Sequence, residues 1–302
     1  MKNLKENKAI TLIALVITII VLLLLAGISI SMISGQDGII NKAAQAKQLN
    51  KEKEQEDMLN MDLLQSEIDF NTQGYEKNGL ILQYDGIYNS GVGNHNDSAN
   101  IWKDLSGNGH DGELKGNPIW EKNALSFDGT NDFVDCGSIN LDYSTMEIVV
   151  EFNNIVEGKS TDFFGNFQGA GGGLTITPQG NSIAIAEFSV GGSYKYCILN
   201  EIPYEIGSKY YVSVTYDGNI IKAYINGNLK STIEINGKID PSEARMAIGA
   251  NPSPSTGTGI ETDERIVPLN GKVYSARIYD RALTENEIKK NYELDSERFG
   301  IK

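Results

Sequence analysis

Lys209-Tyr-Tyr-Val-Ser-Val-Thr-Tyr216, Asp217-Gly218-Asn219, Ile220-Ile-Lys-Ala-Tyr-Ile225, Asn226-Gly227 and Asn228-Leu-Lys-Ser-Thr-Ile-Glu-Ile235 follow one another without interruption. In the first run Val212, Val214 and Tyr216 share one face of an extended chain, and Tyr211, Ser213 and Thr215 share the other. A period of two is the pattern of a sheet strand with a buried face. Asp-Gly and Asn-Gly accept the positive φ that two-residue hairpin turns require. Residues Lys209 to Ile235 therefore predict a three-stranded meander.

The same period extends outward. Met146, Ile148, Val150 and Phe152 share a face of Met146–Phe152, and in Ser182–Phe188 the residues Ile183, Ile185 and Glu187 oppose Ala184, Ala186 and Phe188. About a dozen such segments fit between Gly79 and Tyr279, which predicts an all-β, two-sheet sandwich with a core between its inner faces. The pattern ends at Leu283-Thr-Glu-Asn-Glu-Ile288. There Thr284 and Glu287 form a capping box and Leu283 with Ile288 a hydrophobic staple, predicting a short helix over Glu285–Tyr292.

Ahead of this region, Ile10 to Ile30 is nearly continuous apolar sequence without a charge. A helix of about this length crosses roughly 30 Å of hydrocarbon. Thr11, Thr18, Ser29 and Ser31 are tolerated because their hydroxyls bond back to helix carbonyls. Lys2, Lys5 and Lys8 outnumber Glu6, and positive flanks stay cytoplasmic, so the bulk of the chain is expected outside. The competing reading is a cleaved signal peptide. Its apolar core is roughly 7–15 residues and ends on a small-residue cleavage site; this run is longer, and Ala26-Gly27-Ile28 is a poor site. Gly35 and Gly38 interrupt the helix, and Lys47 to Asp57 is almost entirely charged or amide. The expected organisation is a cytoplasmic leader (1–9), a transmembrane or pilin-like helix (10–33), a polar helical stalk (34–77) and an ectodomain (78–302).

Two resemblances refine this reading. Lys8-Ala9-Ile10-Thr-Leu-Ile-Ala14-Leu-Val-Ile17 resembles a type IV prepilin N-terminus. That implies a cut between Ala9 and Ile10 and a helix that packs into a filament. Ala9 stands where the family has Gly, and Ala14 where it has the Glu that registers subunits. The second resemblance rests on Trp102–Gly112, Ala124–Val134, Val212–Gly218, Ala223–Gly227 and Asn270–Leu283. Their order and spacing are similar to the LamG-like jelly-roll family of the concanavalin A-like superfamily. The implied protein sits in a bacterial cell membrane by a single pass. It contacts the bilayer through Ile10–Ile30 and displays a jelly roll that binds a glycan or another surface protein. At Tyr274-Ser275 the family usually has Asp-Glu.

Composition narrows the function. A formal net charge of −14 argues against a nucleic-acid partner, which needs a basic patch. Cys136 and Cys197 are the two cysteines and His95 and His110 the two histidines, too few for a disulfide framework or a His-based zinc site. Glycosidase chemistry needs two carboxylates across a sugar. Glu147 and Glu151 lie four apart on one strand, a spacing common on solvent-facing strands, so the chain is expected not to be an enzyme.

The metal candidate is Asp104-x-Ser106-x-Asn108-Gly109, with Asp111, Asp128 and Asp132 as further oxygen donors. Alternating oxygen ligands before a Gly suit Ca²⁺, while the same residues also make Asx-stabilised turns. Trp102, Tyr194 and Tyr196 are the ligand-stacking candidates, with Trp120 also of the right type, and the polar loop Asn251–Glu264 is a candidate rim.

Overall fold

The computed structural model describes residues 3–34, 38–72, 74–156, 159–167, 173–179, 182–198, 205–251 and 266–302; side chains at 3–11, 34, 62–63, 65–72, 178–179, 182–185 and 196–198 are outside that description. The chain divides into two units, Met1–Leu64 and Gln65–Lys302.

The first unit holds helix α1 (Asn3–Ser34) and the beginning of α2 (Ile39–Thr72). Within α1, Leu12–Ile33 is long and apolar enough to cross a membrane or to act as a signal sequence. Its hydroxyls behave as lipid requires: Thr18 donates to the Ala14 carbonyl at 2.6 Å and Ser29 to Leu25 at 2.8 Å. Helix α1 ends at Ser34 and α2 begins at Ile39, just after Gly38; Gly35 lies outside the described residues. Along α2, Leu49, Met58, Leu59 and Met61 are exposed.

The second unit is a sandwich of two antiparallel sheets. The first runs β14 (Asn228–Glu234), β13 (Ile220–Ile225), β12 (Lys209–Tyr216), β7 (Ser144–Asn154), β16 (Asn270–Tyr279), β5 (Ala124–Asp128) and β4 (Ile119–Glu121), with β1 (Leu80–Asp85) also on β16. The second runs β11 (Ser193–Ile198), β10 (Ser182–Val190), β9 (Leu174–Gln179), β8 (Phe164–Gly165), β15 (Ala247–Ile248), β6 (Phe133–Asp135), β3 (Gly112–Lys115) and β2 (Ile101–Trp102). The predicted meander is β12–β13–β14. Its second turn has φ of 48° at Asn226 and 71° at Gly227, the doubly positive geometry of a type I′ turn. A Cβ on Gly227 would lie 2.7 Å from the Tyr292 ring, so packing as well as φ requires glycine there.

Met146, Ile148, Val150 and Phe152 of β7 and Val212, Val214 and Tyr216 of β12 join one core cluster. The faces opposite them are buried too: Tyr211, Ser213 and Thr215 are at most 2% exposed. The C-terminal helix α3 (Glu285–Phe299) packs on this side. It starts at the predicted capping box, with both reciprocal bonds between Thr284 and Glu287 present, and ends at Gly300 in the left-handed conformation. It runs seven residues beyond the expected Tyr292 because Ile288, Asn291, Asp295 and Phe299 form one buried face. Two of these four are polar, which hid the continuation.

Beneath α3 lies a polar network. Arg277 donates from Nε to Glu147 at 2.7 Å and from its terminal nitrogens to Asp295, and all three side chains are fully buried. Glu147 also accepts Tyr211 Oη and Asn291 Nδ2. The acidic alternation on β7 is therefore not a solvent face at Glu147: α3 seals it, and its charge is held by Arg277. Burial pushes the Glu147 carboxyl up, opposed chiefly by Arg277. Glu151 is only partly buried and accepts the Tyr274 hydroxyl at 2.7 Å.

Tyr75 belongs to this network. It is 5% exposed, donates to Asp295, accepts from Arg298, and has the Arg277 guanidinium 4.0 Å from its ring centroid. Folded structure thus begins before residue 78, because Tyr75 and Glu76 are already tied to α3.

Candidate functional site

At one edge of the sandwich the β10–β11 hairpin faces the end of β14. The hairpin turns at Gly191-Gly192, with φ of 60° and 69°, and pairs Val190 with Ser193. Between Val190, Ser193, Tyr194 and Lys195 on one wall and Ile233–Asn236 on the other is a cleft of about 500 Å³. Among the described residues, no hydrogen bond or ion pair engages the side chains of Ser193, Lys195, Glu234 or Asn236, so an ammonium, a carboxylate, an amide and a hydroxyl are available to a ligand. Tyr194 is 46% exposed; its hydroxyl donates to Glu187 at 2.8 Å and its ring lies 5.6 Å from Phe167. Burial pushes the Glu187 carboxyl up against that hydrogen bond.

The cleft's frame is polar and fully paired. Asp240 accepts from the Gly191 and Gly192 amides and the Ser189 hydroxyl. The Gly192 amide and the Ser189 hydroxyl, followed by the Gly191 amide, hold its carboxyl below the usual range against burial.

The residues expected from sequence fall in three places. Trp102 is fully buried, stacked on Tyr84 and edge-on to Trp120 at 5.1 Å each, with Nε1 donating to the Asp85 carbonyl. It packs the core and offers no face to a ligand; Trp120, 6% exposed, does the same. Tyr194 is at the cleft, whereas the side chains of Tyr196 and Cys197 and the loop 252–265 lie outside the described residues.

The six oxygen donors do not form one set. Asp104 Oδ1 accepts the Gln83 and Ser106 amides, and Oδ2 accepts the Ser106 hydroxyl and the His110 amide. Asp111 accepts the Asp104 amide and the Lys103 ammonium. Despite partial burial, those donors lower its pKa. Asn108 donates to the Leu80 and Ile81 carbonyls. Asp132 accepts the Asn117 and Asp128 amides, and Asp128 the Thr130 amide. Asp111 precedes β3, while Asp132 lies beyond its other end, beside Gly116. The four residues of β3 at about 3.3 Å each hold the two groups apart. Among the described residues, no group of three or more His, Cys, Asp or Glu could hold a metal ion.

Cys136 is a free, buried thiol on the β6 side of the second sheet. Cys197 is on β11, with β15, β8, β9 and β10 intervening. At about 4.8 Å per strand that is far beyond disulfide reach.

Residues 128–289, just over half of the chain, match the model of the concanavalin A-like lectin/glucanases superfamily. No curated protein matches the sequence. Among solved structures, domain 4 of an extracellular arabinanase from Geobacillus stearothermophilus, determined with arabinotriose, is 17% identical with a TM-score of 0.55, covering 72% of this chain and all of that one. A Trypanosoma rangeli sialidase is 16% identical with a TM-score of 0.51, covering 72% of this chain and 33% of the sialidase. The binding domain of Paraclostridial Mosquitocidal Protein 1 is 15% identical with a TM-score of 0.51, covering 72% and 52%. These likenesses establish the fold.

Proposed function

The chain belongs to the concanavalin A-like lectin/glucanases superfamily, and on that premise we propose that it is a non-catalytic binding module. Its N-terminal helix holds it in the membrane of a bacterial-type cell, and the cleft between β11 and β14 takes a glycan or another envelope component. The carrying observation is the contrast between two polar clusters. The oxygens of Asp104 and Asp132 are occupied by backbone amides, whereas Ser193, Lys195, Glu234 and Asn236 line an open cleft with their side chains unengaged. Sites of this kind bind through a few convergent polar groups. The arabinanase domain, which shares the fold and was determined with arabinotriose, makes a saccharide the first class to test. Supporting the non-catalytic reading, Glu147 is sealed beneath α3 with both oxygens hydrogen-bonded.

The test is a glycan array probed with the full chain in detergent, with Lys195→Ala and Glu234→Ala in parallel. Selective binding weakened by both substitutions is the expected result. Binding unaffected by either would move the site elsewhere, and no binding would turn attention to a protein partner.

A second reading, a pilin-like subunit of an envelope assembly, is favoured by the length of α1 and α2, 32 and 34 residues. Intact-mass measurement decides it: a mature chain beginning at Ile10 supports it, and an unprocessed Met1 counts against it.

A further inference from the structure

One wall of the cleft is hydrogen-bonded to a carboxylate, and the other leads along the chain to the same residue. Asp240 Oδ2 accepts the Ser189 hydroxyl and the Gly192 amide, both at 2.8 Å, and Oδ1 accepts the Gly191 amide at 3.1 Å. Its backbone amide donates to Ser189 and its carbonyl accepts from Gly173, each at 2.8 Å. The β10–β11 turn, which carries Ser193, Tyr194 and Lys195 into the cleft, is thus fixed to Asp240 by side chain and main chain together. The other wall reaches Asp240 through its own chain, because Ile233–Asn236 continues into Gly237–Asp240. That connection is fixed at both ends. Tyr216 Oη donates to the Gly237 carbonyl at 2.7 Å, the Gly237 amide donates to Gly218 at 3.0 Å, and the Ile239 amide donates to Asp142 at 3.1 Å. At the base the walls already touch: a Cβ on Gly237 would lie 2.6 Å from Val190 Cγ1.

We propose that Asp240 is the positioning residue of the cleft, setting the separation of its walls without touching the ligand. This rests on the reading of the cleft as the binding site. A carboxylate suits the task because it accepts only, and three donors converge on it. Asp240→Ala removes all three acceptor contacts. Asp240→Asn keeps one acceptor oxygen and turns an NH₂ toward at least one amide that donated to the carboxylate.

The experiment combines hydrogen exchange with binding, using the full chain in detergent and the glycan that scores highest for the parent protein on the array. In Asp240→Ala, amides of the peptide covering the β10–β11 turn should exchange at least tenfold faster while peptides of β7 and β12 are unchanged. Affinity should fall at least tenfold, with Asp240→Asn intermediate in both. If Asp240→Ala does not fold, Asp240→Asn carries the comparison. A residue that merely stabilises would lower the melting temperature but leave the folded variant with parental affinity, and that outcome overturns the proposal. Equal exchange in parent and variants would overturn the proposal, while parental binding that Lys195→Ala and Glu234→Ala both weaken would still uphold the cleft. A parent that binds no glycan, with its turn protected, overturns the glycan reading of the cleft and this proposal with it.

Discussion

Arg277 and Glu147 face each other across the β16–β7 pair, Nε to Oε2 at 2.7 Å, with neither side chain exposed. Without Arg277, Glu147 would be an uncompensated buried charge. Removing one partner of such a pair costs about 3–5 kcal/mol. Asp295 shares the guanidinium, so Arg277→Ala strands two carboxylates. The expected result is a fall in melting temperature on the order of 10 °C for Arg277→Ala, read by circular dichroism. A variant within a degree or two of the parent would show that the network is energetically idle.

The capping box of α3 should give a stability difference that depends on acid. Arg281 first, then the Thr284 amide and hydroxyl, lowers the Glu287 carboxyl from an ordinary 4.5 to about 2. A carboxyl depressed in the folded state contributes fully above its unfolded value and loses that contribution as pH falls toward the folded one. Glu287→Gln, which can keep the capping box but loses the ion pair with Arg281, is therefore expected to cost about 0.5 kcal/mol at neutral pH. The gap should shrink between pH 4.5 and 2. Urea unfolding at several pH values checks this, and a gap that widens in acid would refute the assignment.

Calcium is not expected to raise the melting temperature. Every carboxylate oxygen of Asp104 already accepts two hydrogen bonds, and Asp132 is engaged elsewhere. Ligand stabilisation at 100-fold saturation would be about 2.7 kcal/mol, a readily visible shift. Thermal scans in calcium and in chelator should coincide; a clear rise in calcium would reinstate the site. Asp104→Ala, by contrast, is expected to destabilise by roughly 1–3 kcal/mol through the amides it leaves unpaired.

Cys136 should resist alkylation in the native protein. Its thiol is 1% exposed, and burial pushes its pKa well up, so the reactive thiolate is scarce. Peptide mapping after iodoacetamide treatment should find residue 136 modified only in denaturant.

Much of this architecture could be read from the chain because its determinants are local. Asn226-Gly227 fixes a turn through its own φ angles, and Thr284 with Glu287 marks a helix start three residues apart. What failed to show depends on which surfaces meet. Glu147 has the alternation of a solvent-facing acid, and only α3, more than a hundred residues later, turns it into a buried ion. Trp102 has the composition of a sugar platform but is enclosed by Tyr84 and Trp120. The cleft joins β11 to β14, the edge strands of different sheets, so no window of sequence contains it. Its one local signal is Gly191-Gly192, a hairpin turn of the same doubly positive kind as Asn226-Gly227.

The position of β16 governs the order in which the protein can be made. Residues 270–279 pair with β7 along one edge and with β5 and β1 along the other. The middle of the first sheet is thus filled by the last strand to be synthesised. Until it arrives, β1, β5 and β7 have a vacant neighbour, and their apolar faces have no sheet to complete. Pairing across such sequence separations is slow because the loop must close before contacts reward it. Strands β7, β12, β13 and β14 and the whole second sheet can pair before β16 is made, but the first sheet stays split between β7 and β5 until residues 270–279 fill the gap.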